Sequence, residues 1–60
     1  MLDQAAEAQA EYMTKEQMEE RIRSIRKQME KAAKELDFIE AARLRDEMFS
    51  YQALKKERFS

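Results

Sequence analysis

From residue 18 onward, apolar residues fall on a helical rhythm. Met18, Ile22, Ile25, Met29, Ala32 and Leu36 recur at alternating spacings of four and three, the heptad period of a helix that lays one face against another helix. Just upstream, Thr14 and Gln17 have the spacing of a capping box, in which each side chain satisfies the other residue's free backbone N–H. Met13 and Met18 occupy the two positions of a hydrophobic staple across that cap. The pattern predicts a helix over 15–35. On its outward face Glu19 with Arg23, and Glu30 with Lys34, are spaced for i,i+4 ion pairs worth about 0.2–0.5 kcal/mol each.

The same register does not carry past Leu36. Continued, it would put Ile39, Arg43, Asp46 and Ser50 in the seam, and three of those four are polar. A second capping box, Asp37 with Glu40, stands at the break, followed by a new stripe of Ala41, Leu44, Met48 and Tyr51, with Leu54 close to the same line. Two helices, 15–35 and 38–56, joined by a turn at 36–37, therefore describe the chain. The predicted class is all-α, an antiparallel helix-loop-helix hairpin over 14–58. The turn has neither Gly nor Asn, so a residue near Glu35 is expected to adopt the left-handed conformation at a cost of about 1–2 kcal/mol.

Residues 1–13 are rich in Ala, Gln and Glu and carry no stripe of large side chains. They read as a flexible lead-in or frayed helix. A polar lead-in of this kind resembles the tail of a longer protein cut at a domain boundary, with Met1 either native or an added start.

Composition sharpens the picture in one respect, the need for a partner. Sixty residues form a single domain that buries too little of its surface to be comfortably stable alone. Small scaffolds usually add disulfides or a metal, but the chain has 0 Cys and 0 His. Association is the remaining route, and two hairpins pairing into a dimeric four-helix arrangement would cover faces that one hairpin leaves wet.

Charge and candidate chemistry exclude more than they add. The formal net charge is -1, and Arg23, Lys27, Lys31 and Lys34 form a basic line interrupted by Glu30, so direct nucleic-acid binding is not the expected role. Glu16, Glu19 and Glu20 form an acid cluster by count only, with no His, Cys or activated nucleophile beside them. No catalytic residue, cofactor, metal or small-molecule ligand is expected. There is no apolar run for a membrane span or signal peptide, and the expected location is cytoplasmic. Phe49 and Phe59 lie off the main stripe and read as single exposed aromatics.

One stretch is more specific than amphipathicity requires. Residues 29–48 hold two Ala pairs, Ala32-Ala33 and Ala41-Ala42, around Leu36-Asp37-Phe38, followed by Leu44 and Arg45-Asp46. This arrangement resembles the UVR motif, with every element of the family pattern present. That motif occurs at the C-terminus of UvrB, within the nuclease subunit UvrC, and in some Clp-type ATPases and arginine-kinase activators. The lead-in Tyr12-Met13-Thr14-Lys15-Glu16-Gln17 makes the chain most similar to the UvrB branch. The resemblance implies a non-catalytic interaction module of bacterial nucleotide excision repair that self-associates and recruits UvrC. The implied parent is an ATP-dependent, helicase-like subunit of an excision nuclease. Partner contact is then expected around Met29, Ala32, Leu36, Phe38, Ala41, Ala42, Arg45 and Met48. Phe38 either folds back over its own hairpin or stands out at the tip as a rigid aromatic anchor, with the Arg45 guanidinium two turns further on nearly the same face.

Overall fold

A computed structural model of the chain describes residues 12–59. The expected flexible lead-in therefore lies almost wholly outside the described residues. Helix α1 runs Lys15–Lys34 and helix α2 runs Phe38–Phe59, and the two pack against each other as a hairpin. Among the described residues all regular structure is helical. Helix α1 stops one residue short of the expected 35, and α2 continues three residues beyond 56.

The N-terminus of α1 forms as the sequence predicts. Gln17 N–H donates to Thr14 Oγ1 at 3.1 Å, and Thr14 N–H donates to Gln17 Oε1 at 2.9 Å, so both halves of the capping box are present. Met13 packs against the core beside a fully buried Met18.

The turn is tighter than a cap followed by a second cap. Glu35 keeps a φ of -84°, and it is Leu36 that takes the positive φ, 60°. Leu36 N–H donates to Ala33 O at 3.0 Å and Asp37 N–H to Ala32 O at 2.8 Å, the two bonds of a Schellman motif with Leu where glycine is usual. Asp37 then caps α2, its Oδ1 accepting from Glu40 N–H at 3.2 Å. The second capping box forms only in this half. Asp37 N–H is already used by Ala32, and the Glu40 carboxylate turns to Arg43 Nε instead.

One core joins the helices. Met18, Ile22, Ile25 and Ala32 from α1 meet Leu44, Met48, Tyr51 and Leu54 from α2, with Met13, Met29 and Ala41 partly buried against them. Leu36, expected as the last seam residue, is 71% exposed, because the left-handed turn swings it off the face that Ala32 occupies. Ser50, the one buried polar residue of the described chain, donates its hydroxyl to Asp46 O at 3.1 Å, which satisfies it within the helix.

The ion pairs differ from the expected local ones. Glu19 reaches across the hairpin, its Oε1 lying 3.8 Å from Lys55 Nζ, rather than pairing with Arg23. Among the described residues no ion pair joins Glu30 and Lys34; Arg43 bridges Glu40 and, at 3.4 Å, Glu47. No helix among the described residues is long and apolar enough to cross a membrane.

Candidate protein-interaction site

At the closed end of the hairpin the short turn leaves large apolar side chains with no core to enter. Leu36 is held outward by its positive φ, and Phe38 and Ile39 open α2 at 65% and 88% exposure. Three apolar residues within four positions, interrupted only by the capping Asp37, therefore face water. Such a patch is costly on a small monomer, which makes it the candidate binding surface of the described chain.

Beside the patch lies an open groove of about 310 Å³ lined by Met29, Glu30, Ala33, Phe38, Ala41, Ala42 and Arg45. Small Ala side chains of both helices line it together with Phe38 and, two turns along α2, the guanidinium-bearing Arg45. Arg45 Nη2 lies 3.5 Å from Asp46 Oδ1, with both side chains largely in water, so its donors remain open to a partner carboxylate or carbonyl.

The structure distributes the expected contact residues among three settings. Met29, Phe38, Ala41, Ala42 and Arg45 come together around the groove. Leu36 stands exposed outside it, and Ala32 and Met48 are enclosed in the core. Phe38 does not fold back under its own hairpin. Ile39, which a continued first register would put in the seam, instead stands next to Phe38 in the first turn of α2, exposed and away from the Leu44 stripe. Glu30 and Ala33 also line the groove, and only Ala33, one turn on from Met29 along the same face of α1, had a spacing that points to it.

Elsewhere the described residues offer little chemistry. Arg23, Arg26 and Lys55 rim a groove between the helices with Glu19, Ile22 and Gln52, and Glu19 already pairs with Lys55. Among the described residues no cluster of His, Cys, Asp or Glu could hold a metal.

Residues 19–54 match the family model of the UVR domain, described as the UvrB/uvrC motif. The chain belongs to the UVR family. The matched span runs from Glu19, which ties α1 to α2, through the tip to Leu54, the last core residue of α2, so the UVR match covers the groove and every core residue except Met18 at the start of α1. This UVR hairpin is 46% identical over 55 residues to UvrABC system protein B of Bacteroides fragilis, covering 92% of the chain and 8% of that protein. It is 47% identical over the same length to the protein of that name from Bacteroides thetaiotaomicron. UvrABC system protein B of Cytophaga hutchinsonii is 46% identical over 50 residues, which is 83% of the chain and 7% of the protein. The chain thus spans under a tenth of the length of these relatives. No solved structure matches it.

Proposed function

We propose that this UVR hairpin is a protein–protein interaction module of bacterial nucleotide excision repair, the part of a UvrB-type protein that recruits the UvrC nuclease and also pairs with a copy of itself. The module is non-catalytic and acts by docking. Support comes first from the tip. Phe38 stands two-thirds exposed beside a small-residue groove that Arg45 also lines, a rigid aromatic and a bidentate donor placed as a binding hot spot would be. The relatives' shared name, UvrABC system protein B, favours this reading over a Clp-type ATPase or kinase activator.

The partner would lay a helical hairpin of the same family against Leu36, Phe38 and the groove, filling it with apolar side chains and offering an acceptor to Arg45. Titration of the chain against the middle region of UvrC tests this. Phe38→Ala should weaken the complex about tenfold or more while helical circular dichroism is unchanged. Equal affinity for the two forms would remove Phe38 as the anchor. Light scattering over a concentration series tests self-pairing, and a strictly monomeric helical species throughout would rule it out.

A further inference from the structure

The groove at the tip continues toward the open end of the hairpin. On α1, Ala33 and Met29 of its lining are followed by Arg26, Arg23 and Glu19 at spacings of three or four. On α2, Arg45 is followed by Phe49, Gln52 and Lys55 at the same spacings. Positions so spaced share one side of a helix. A second groove, of about 340 Å³, lies there between the helices, lined by Arg23, Arg26, Gln52 and Lys55 beside the buried Ile22. The two grooves are halves of one trough. From Ala33 to Glu19 it runs about 21 Å, the length of four helical turns.

The halves differ in chemistry. Near the tip the lining is mostly small and apolar, whereas the second groove sets three cations against a single acid, Glu19. Arg23 and Arg26 are exposed, and among the described residues neither has a carboxylate partner. Partners were within reach. Glu19 stands four residues from Arg23, and Glu30 four from Arg26, yet Glu19 lies toward Lys55, loosely, at 3.8 Å. Being three residues apart, the two guanidinium groups can take two carboxylates one turn apart on a facing helix. A nucleic-acid backbone is a poorer match. Glu19 sits within the groove, and a chain of net charge -1 exerts no long-range pull on a polyanion.

We propose that the trough takes one helix of the docking partner, about four turns long, apolar where it meets the tip and carrying acidic residues one turn apart where it crosses Arg23 and Arg26. The inference rests on the docking reading above and adds to it the charge of the partner and the direction in which its helix lies. A helix seated this way gives Phe49, 52% exposed between the two halves, an apolar neighbour. An incoming carboxylate competes with Glu19 for Lys55, an exchange that costs little because that pair is loose and partly in water. The apolar half holds the helix, and the basic half sets its orientation and its rate of arrival, since charges at a rim act chiefly on association and its salt dependence. A reversed helix would bring acids to Phe38 and apolar side chains to the arginines, leaving both unmatched.

Titration of the full 60-residue chain against full-length UvrC at low and high salt, with helicity followed in parallel, tests the basic half. Arg23→Gln combined with Arg26→Gln should weaken binding about fivefold at low salt and flatten its salt dependence. Arg23→Glu combined with Arg26→Glu should weaken it further at the same helicity. Arg21→Gln, two residues from Arg23 and so on the other side of α1, should change neither affinity nor salt dependence. If Phe38→Ala weakens binding while the arginine variants match the wild type at both salt concentrations, the basic half is overturned and the docking reading stands. A wild-type chain that does not bind UvrC at all would overturn both. A short DNA duplex is the second titrant. Binding as tight as that of UvrC, and lost in the Gln double variant, would reassign the groove to a phosphate backbone and overturn the proposal.

Discussion

Asp37 donates its backbone N–H to the carbonyl of Ala32 at 2.8 Å, and the same residue caps the following helix through Oδ1. One residue thus closes α1 and opens α2, and the chain reverses with no residue to spare. Asp37→Ala keeps the first bond and loses the second. The expected loss is about 1 kcal/mol, read as a lower midpoint in urea. Asp37→Asn, which still offers a side-chain oxygen, should recover most of it.

Leu36 gives a prediction with opposite signs for stability and binding. A branched side chain at φ 60° is disfavoured by about 1–2 kcal/mol, and glycine at this C-cap position would relieve it. Leu36→Gly should raise the melting temperature, the gain being reduced by glycine's greater freedom in the unfolded chain. The same change removes an exposed apolar side chain from the tip and should weaken partner binding. A variant that loses both stability and affinity would mean that the Leu36 side chain packs on its own hairpin.

How much of this was legible beforehand follows the range of the interactions involved. The Met18-Ile22-Ile25 seam, the Leu44-Met48-Tyr51 stripe and the Thr14–Gln17 cap depend on spacing along one helix, which a sequence displays directly. Heptad counting puts Leu36 in the seam because it assumes that helical dihedrals persist, and the left-handed turn ends them one residue earlier. Only half of the Asp37–Glu40 box forms because two local motifs compete for one N–H, and the Schellman bond to Ala32 takes it. Glu19 pairing with Lys55 depends on how the helices align, which no single-helix pattern contains. At the tip, motif resemblance selected residues without sorting faces. It grouped Ala32 and Met48, which lie in the core, with Phe38 and Arg45, which line the groove, and it passed over Ile39.

Glu40 offers a titration test of the tip's charge network. The hydrogen bond from Arg43 holds the Glu40 carboxyl below its ordinary value, outweighing an opposing effect of desolvation, with the charge of Arg43 as the smallest contribution in the same direction as the bond. A carboxyl lowered on folding favours the folded state above its unfolded pKa, and that contribution disappears as pH falls through the lowered folded value. Arg43→Gln should therefore move the Glu40 titration, followed by NMR, upward toward that of an unperturbed glutamate. An unmoved titration would show that the Asp37-capped helix end, not Arg43, sets it. The group is largely in solvent, so the effect on overall stability is small.

The last prediction separates holding the hairpin from using it. Met18 is fully buried between the helices, and Phe38, a larger apolar side chain, is mostly in water. Truncating Met18 to Ala leaves a cavity and should cost about 2–5 kcal/mol, comparable to everything a core of this size supplies. Met18→Ala should therefore lose much of its helical circular dichroism at 25 °C. Phe38→Ala removes more atoms but little buried contact, so stability should stay within about 0.5 kcal/mol. Under the proposed docking role, both variants should bind UvrC poorly, for different reasons. High protein concentration or a helix-favouring osmolyte should restore binding to Met18→Ala, because refolding returns an intact tip. The same treatment should leave Phe38→Ala weak, since its fold was never the deficit. If both variants were rescued together, Phe38 would be a structural residue, and the recognition assigned to the tip would have to move elsewhere on the hairpin.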